Sequence, residues 1–313
     1  MPPVLLELTH SVSLTPLAGV GIPIALVGAV FLSLGAQFQH RGVSKVGSNT
    51  SPKESTALSA GQLLQLLSRP SWMIGTILLG LAIVFQLTSL YLAPLIVVQP
   101  LGAVALVITA VLNSRVSKAP LTWAAIRAII FCVVGVALFV TIAAFTATSS
   151  PISERQLVIV LVILGVVTVA FVAAFGFLRR RFKAIIYIVS AGVLYGFVAT
   201  LAKVVIDRIK TLVLYGSDTG GFEWLTTLCV VALIAATALG GYFVQSAYAS
   251  GPPDLVIAGL TVIDPIVAVC IGIVVLQEAA DAPIWAIPAF IVAGVLAVYG
   301  VFQLAKHHTQ VRG

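Results

Sequence analysis

The chain has 313 residues, of which 60% are hydrophobic and only 9% charged, with a formal net charge of +7 and a mean hydropathy of +1.15. Soluble domains carry about 25% charged residues. The apolar excess here runs along the whole length, which excludes a soluble core and points to several membrane spans.

A hydrocarbon core is crossed by about 20 apolar residues in a helix. Nine such runs are predicted, at 17–39, 71–92, 94–112, 122–147, 156–178, 184–206, 224–249, 254–276 and 283–304. Residues 1–16 contain no Lys or Arg, and the first apolar run exceeds the core of a secretory signal, so it reads as the first retained helix. The loop 40–70 is expected to be cytoplasmic and mobile in its polar first half. Leu58, Leu63, Leu64, Leu66 and Leu67 give Thr56 to Leu67 the spacing of a short helix lying on the membrane surface. Pro94 separates spans two and three, and Gly251-Pro252-Pro253 separates seven and eight. Proline disfavours helical geometry in the residue before it, so both read as tight turns.

Charge sets the orientation. With the N-terminus outside, thirteen of the 17 Lys and Arg fall at inside segments, three (Arg155, Arg208, Lys210) fall outside, and Lys203 lies within a span. This is the positive-inside pattern, with an odd number of spans and the C-terminus inside. The positive balance belongs to topology and anionic inner-leaflet lipid rather than to nucleic acid. The outer segments hold seven acids, among them Asp207 and Glu278, which read as surface acids left behind by this sorting.

The eighth run is interrupted near its middle by Asp264. A carboxylate at that depth costs about 2.5–3.5 kcal/mol on insertion scales and tends to mark an ion or substrate path. Its surroundings repeat. Tyr91 to Asn113 reads YLAPLIVVQPLGAVALVITAVLN and Leu255 to Glu278 reads LVIAGLTVIDPIVAVCIGIVVLQE. Each has a polar residue before a proline (Gln99-Pro100, Asp264-Pro265) and another polar residue 13 positions after it (Asn113, Glu278). A second proline, Pro120 or Pro283, then opens the next segment. Gln86 and Gln245 occupy loosely matching places in the preceding helices. The two copies run in opposite directions through the membrane, as in inverted-repeat transporters that bind near the midplane. Pro100 and Pro265 are expected to break their helices and free the carbonyls of Ile96 and Thr261.

These residues resemble the EamA-type drug/metabolite transporter superfamily, in which a Glu-Pro or similar pair opens the motif and Gly-Glu closes it. Asp264-Pro265 and Gln277-Glu278 stand at those places. Within it, VVQPLGAVALVITAVLN and the nine-span count resemble the NIPA-type magnesium transporter branch, over most of residues 20–304. The resemblance implies Mg²⁺ as one candidate cargo. Mg²⁺ prefers oxygen ligands and keeps several waters. The chain offers one deep acid for it, Asp264, with Gln99, Gln86, Gln245, Thr261 and the freed carbonyls as helpers.

Lys203 lies four residues before Asp207 on one helix face, where it can pair or snorkel outward; a pair with Asp264 is the sharper alternative. Gly192 and Gly196 form a GxxxG that allows close helix approach inside the bundle, and Tyr195 and Thr200 share that helix, with Tyr195 a candidate for the binding cavity. Gln37, Gln39, His40 and Arg41 cluster at the inner end of the first span. Cys132, Cys229 and Cys270 stand singly in apolar runs and read as small buried residues. The chain has no nucleophile motif, metal-ligand spacing or phosphate loop, and YGSDTGG lacks a GK[ST] ending, so neither an enzyme nor a bound cofactor is expected.

The expectation is therefore an all-α polytopic membrane protein of about nine transmembrane helices in two inverted repeats, five plus four. The first repeat is 1–182 and the second 183–313, with a short cytoplasmic tail. It reads as a secondary transporter in the plasma membrane, moving an organic metabolite, a drug or a divalent cation such as Mg²⁺. A lipid-linked or amphipathic cargo and a non-transport scaffold remain open.

Overall fold

The computed structural model describes residues 16–47, 69–117, 120–148, 152–178, 184–215, 224–250 and 253–308. Among these the chain is entirely helix and turn. In order come α1 (Pro16–Gly47), α2 (Pro70–Leu92), α3 (Leu95–Val98), a 3₁₀ turn (Gln99–Leu101), α4 (Gly102–Ser117), α5 (Trp123–Thr146), α6 (Glu154–Leu178), α7 (Ala184–Tyr215), α8 (Trp224–Ser250), α9 (Pro253–Val274) and α10 (Ala286–His308). The α3, 3₁₀ and α4 pieces together form one crossing, Leu95–Val116, and nine candidate spans result among the described residues. All nine predicted runs are present. The first helix continues to Gly47 and the sixth to Tyr215, past the predicted ends. The predicted surface helix at 56–67 and residues 251–252 of the predicted Gly251-Pro252-Pro253 turn lie outside the described residues.

Local chemistry sets several boundaries. Pro70 stands at the start of α2, where its missing N–H is no loss. Thr122 caps α5 by accepting from the Ala125 amide at 3.2 Å. Ser153 and Gln156 form a reciprocal capping box at α6, with the Ser153 amide donating to Gln156 Oε1 at 2.8 Å and the Gln156 amide to Ser153 Oγ at 3.4 Å. The Pro94 turn is present: α2 stops at Leu92, Ala93 is extended (φ −134°, ψ 156°), and Pro94 opens α3. The two repeat prolines behave differently. Pro100 sits in the 3₁₀ turn, whereas Pro265 lies inside an α9 that remains helical throughout.

Small residues bring the helices together, the common device where lipid supplies no hydrophobic drive. The principal pairs are α1 with α2, α5 with α10, and α7 with both α8 and α9. A Cβ on Gly135 would lie 2.3 Å from the Ala297 amide nitrogen, and one on Gly300 would lie 2.3 Å from that of Cys132, so α5 and α10 touch backbone to backbone. Gly192 and Gly196 press on Ile263 and Val267 of α9, so the GxxxG works inside the bundle. The α3 turn sits at the centre, with Leu95, Ile96, Val97 and Val98 all 0% exposed. Cys132 and Cys229 are buried as expected; Cys270 is instead exposed, on a face of α9 turned away from the packed interior.

Candidate functional site

Asp264 lies midway along the crossing Leu255–Val274. It is held against α7, where Gly196 allows the approach: a Cβ there would meet Val267 Cβ at 2.7 Å and the Asp264 carbonyl oxygen at 3.0 Å. The Asp264 Oδ1 atom is buried and accepts no hydrogen bond from the protein. Leaving a buried acceptor unsatisfied costs about 1–3 kcal/mol, more when it is charged. Next to it, Pro265 has no N–H to offer the Thr261 carbonyl, while the Thr261 hydroxyl donates to the Ile257 carbonyl at 2.8 Å. Tyr195 lies between the two α7 glycines in sequence, rests its ring on Gly240 of α8, and is within electrostatic reach of Asp264.

The other candidates divide. Gln99 is buried, and its 3₁₀ turn packs directly on α9. Gln86 is half-buried on α2, on a turn that faces Gly28 of α1. Gln245 is exposed on the outside of α8 and is not gathered with the others. Lys203 pairs with Asp207, Nζ to Oδ2 at 3.1 Å, and not with Asp264. At 3% exposure it does not snorkel; its ammonium turns inward and donates to the Leu90 carbonyl at 2.8 Å and the Ala93 carbonyl at 3.2 Å. These are orphan carbonyls at the C-terminal end of α2, where a cation is favoured.

Glu278 corrects an expectation. Read as a surface acid, it is 4% exposed. Its Oε1 accepts from the Leu95 amide and its Oε2 from the Ile96 amide, each at 2.8 Å. Those are the first free donors of α3, because Pro94 has none. Burial raises the Glu278 carboxyl above its ordinary range, while the two amides and Lys203 oppose that shift and favour the carboxylate. The fold-back needs two local features. Gln277 adopts φ 57°, and Gly272 leaves room, since a Cβ there would lie 3.0 Å from Glu278 Oε2. The spacing of 13 from Pro265 marked Glu278 as part of a motif, but its partners lie 182 and 183 residues away and left no local trace.

At the opposite end of α4, Asn113, the counterpart of Glu278 in the first copy, accepts from Gln37 Nε2 of α1. Gln39 reaches Thr76 of α2 at 3.1 Å. Among the described residues no group of three or more His, Cys, Asp or Glu is placed to hold a metal ion.

Residues 17–310, nearly the whole chain and every crossing just described, match the family model described as Magnesium transporter NIPA. The chain belongs to that family. NIPA proteins are DMT-like transporters, and membership makes this an integral membrane transport protein rather than an enzyme. An uncharacterized protein of Corynebacterium glutamicum is 25% identical over 299 residues, covering 92% of this chain and 96% of that protein. No solved structure matches the chain.

Proposed function

We propose that this NIPA-family protein is a secondary carrier that moves Mg²⁺ across the plasma membrane by alternating access, with Asp264 as the cargo-binding carboxylate. The observation that carries this reading is the Asp264 Oδ1 atom, buried at mid-span without a protein partner. A site that discharges this electrostatic cost by taking up a cation explains why the acid is there. A single carboxylate with a nearby amide (Gln99) and a proline-freed carbonyl (Thr261) suits an ion that keeps part of its water shell.

The rocking units are the halves 1–182 and 183–313, read as inverted repeats of five and four crossings, with the N-terminus outside and the C-terminus inside. Helix pairing supports the repeats, and the fourth crossings of the two halves, α5 and α10, pack backbone to backbone across the division as their fixed contact. The first two crossings of each half pack together (α1 with α2, α7 with α8), as do the first and third (α1 with α4, α7 with α9) and the third and fourth (α4 with α5, α9 with α10). The sixth helix, α6, is the fifth crossing of the first half and has no counterpart. The positive-inside distribution supports the orientation.

A second reading, an organic cation, draws on the aromatic ring of Tyr195 beside a lone carboxylate and on the lack of a multi-acid cluster among the described residues. Thermal stabilisation of purified protein separates the two. Saturable stabilisation by Mg²⁺, lost in Asp264→Asn, supports the cation carrier. Stabilisation by organic cations with none by Mg²⁺ transfers the site to the second reading. Cellular function that survives Asp264→Asn refutes both and leaves a scaffold role.

A further inference from the structure

The charged groups Lys203, Asp207 and Glu278 take no part in the cargo site as described, yet all three lie inside the bundle around one turn. Their targets are mostly backbone. Lys203 holds the carbonyls of Leu90 and Ala93, and Glu278 holds the amides of Leu95 and Ile96. The turn Ala93–Pro94 is thus gripped from both sides, its incoming helix end by a cation and its outgoing helix start by an anion. Each charge matches the helix dipole it faces.

The origin of the charges matters. Lys203 belongs to α7 and Glu278 follows α9, the two helices that enclose Asp264. The gripped backbone belongs to the first half and leads within a few residues to Gln99 and Pro100. Among the described residues, further polar links between the halves lie at the same end. The Thr148 amide donates to the Glu278 carbonyl at 2.7 Å, Gln156 Nε2 to the Val275 carbonyl at 3.0 Å, and Lys210 lies over the Tyr91 ring at 4.8 Å.

We propose that Lys203 and Glu278 form a gate between the halves, clamping the Ala93–Pro94 turn so that the Pro94 face is closed over the Asp264 site. This rests on the alternating-access reading above: if the halves rock, these bonds must part for that face to open. Charged links suit a contact that must release. Buried charges are costly while dry and well solvated once water enters, whereas apolar packing resists wetting. Asp207, bonded to Lys203, keeps a partner for the ammonium when it leaves the carbonyls. Lys203 and Glu278 are positioning residues: they control access and do not touch cargo.

The test uses a single cysteine beneath the clamp, Val97→Cys, in the full chain with Cys132, Cys229 and Cys270 changed to Ala and reconstituted in liposomes. Val97 is 0% exposed. A membrane-impermeant thiol reagent is applied to each face in turn. Glu278→Gln, which can no longer accept from both amides, and Lys203→Met should each raise labelling from the Pro94 face about tenfold or more, the shift that losing a charge-assisted bond gives a two-state equilibrium. Mg²⁺-dependent thermal stabilisation should persist in both variants. Labelling that is unchanged, or that rises equally from both faces, overturns the gate. If neither variant folds, labelling of Val97→Cys with the clamp intact decides: it should rise from the Pro94 face during Mg²⁺ flux, and a flat rate overturns the proposal. If Mg²⁺ stabilises no form of the protein, the cargo reading fails while the labelling of the variants still decides the gate.

Discussion

At the scale of the residue, three ionisable groups inside the bundle, Lys203 and Glu278 buried and Asp264 half-buried, are resolved in three ways. Lys203 has a carboxylate and two carbonyls, Glu278 has two amides, and Asp264 has one oxygen with nothing. The unsatisfied group is the one at mid-span, which is why Asp264 is proposed as the site and the other two as structural ties. Ligand linkage makes this measurable. Mg²⁺ at a hundred times its Kd should stabilise the parent protein by about 2.7 kcal/mol, and Asp264→Asn should show no such gain in a thermal melt. Gly272 gives a second prediction. Its absent Cβ leaves the Glu278 carboxylate space to reach α3. Gly272→Ala should therefore lower thermal stability by about 1–3 kcal/mol, the range for a disturbed buried charged hydrogen bond, despite alanine's better helix propensity.

At the scale of the element, the nine crossings were legible because each is a run of about 20 apolar residues bounded by proline, glycine or charge. Pro94 announced its turn, the i, i+4 spacing of Lys203 and Asp207 announced their pair, and GxxxG announced a close contact. Two things were not legible. Pro100 and Pro265 look alike in sequence, yet one sits in a 3₁₀ turn and the other inside a continuous helix; the difference depends on what packs around them. Glu278 and Lys203 bond to backbone atoms, whose identity leaves no residue-type signature. Glycine roles can be sorted by the same packing logic. Gly196→Leu and Gly300→Val insert side chains where a Cβ already falls under 3 Å from its neighbours, and should cost about 1–3 kcal/mol or more by overpacking. Gly165 of α6 has nothing within 4 Å of a Cβ, so Gly165→Ala should gain about 0.5–1 kcal/mol. Equal losses at all three positions would contradict the packing described.

At the scale of the whole molecule, the family, the all-helical bundle and the unpaired carboxylate all support the proposed carrier, in which cargo would sit between the proposed halves. Among the described residues, charged ties between the proposed halves lie at the Pro94 end, and Asp264 lies below them at mid-span. The same geometry explains why the acid tolerated at that depth is single. A multi-acid cage would be costlier to bury and slower to release its ion, whereas one carboxylate would hold the proposed cargo, a partly hydrated cation, loosely enough to let it go. The most direct test is Mg²⁺ uptake into proteoliposomes containing the purified parent protein or Asp264→Asn. Uptake by the parent should saturate, and the variant should lose about tenfold or more of it, as expected when a charge-assisted ligand is removed. Equal uptake by both proteins, or none by either, would contradict it.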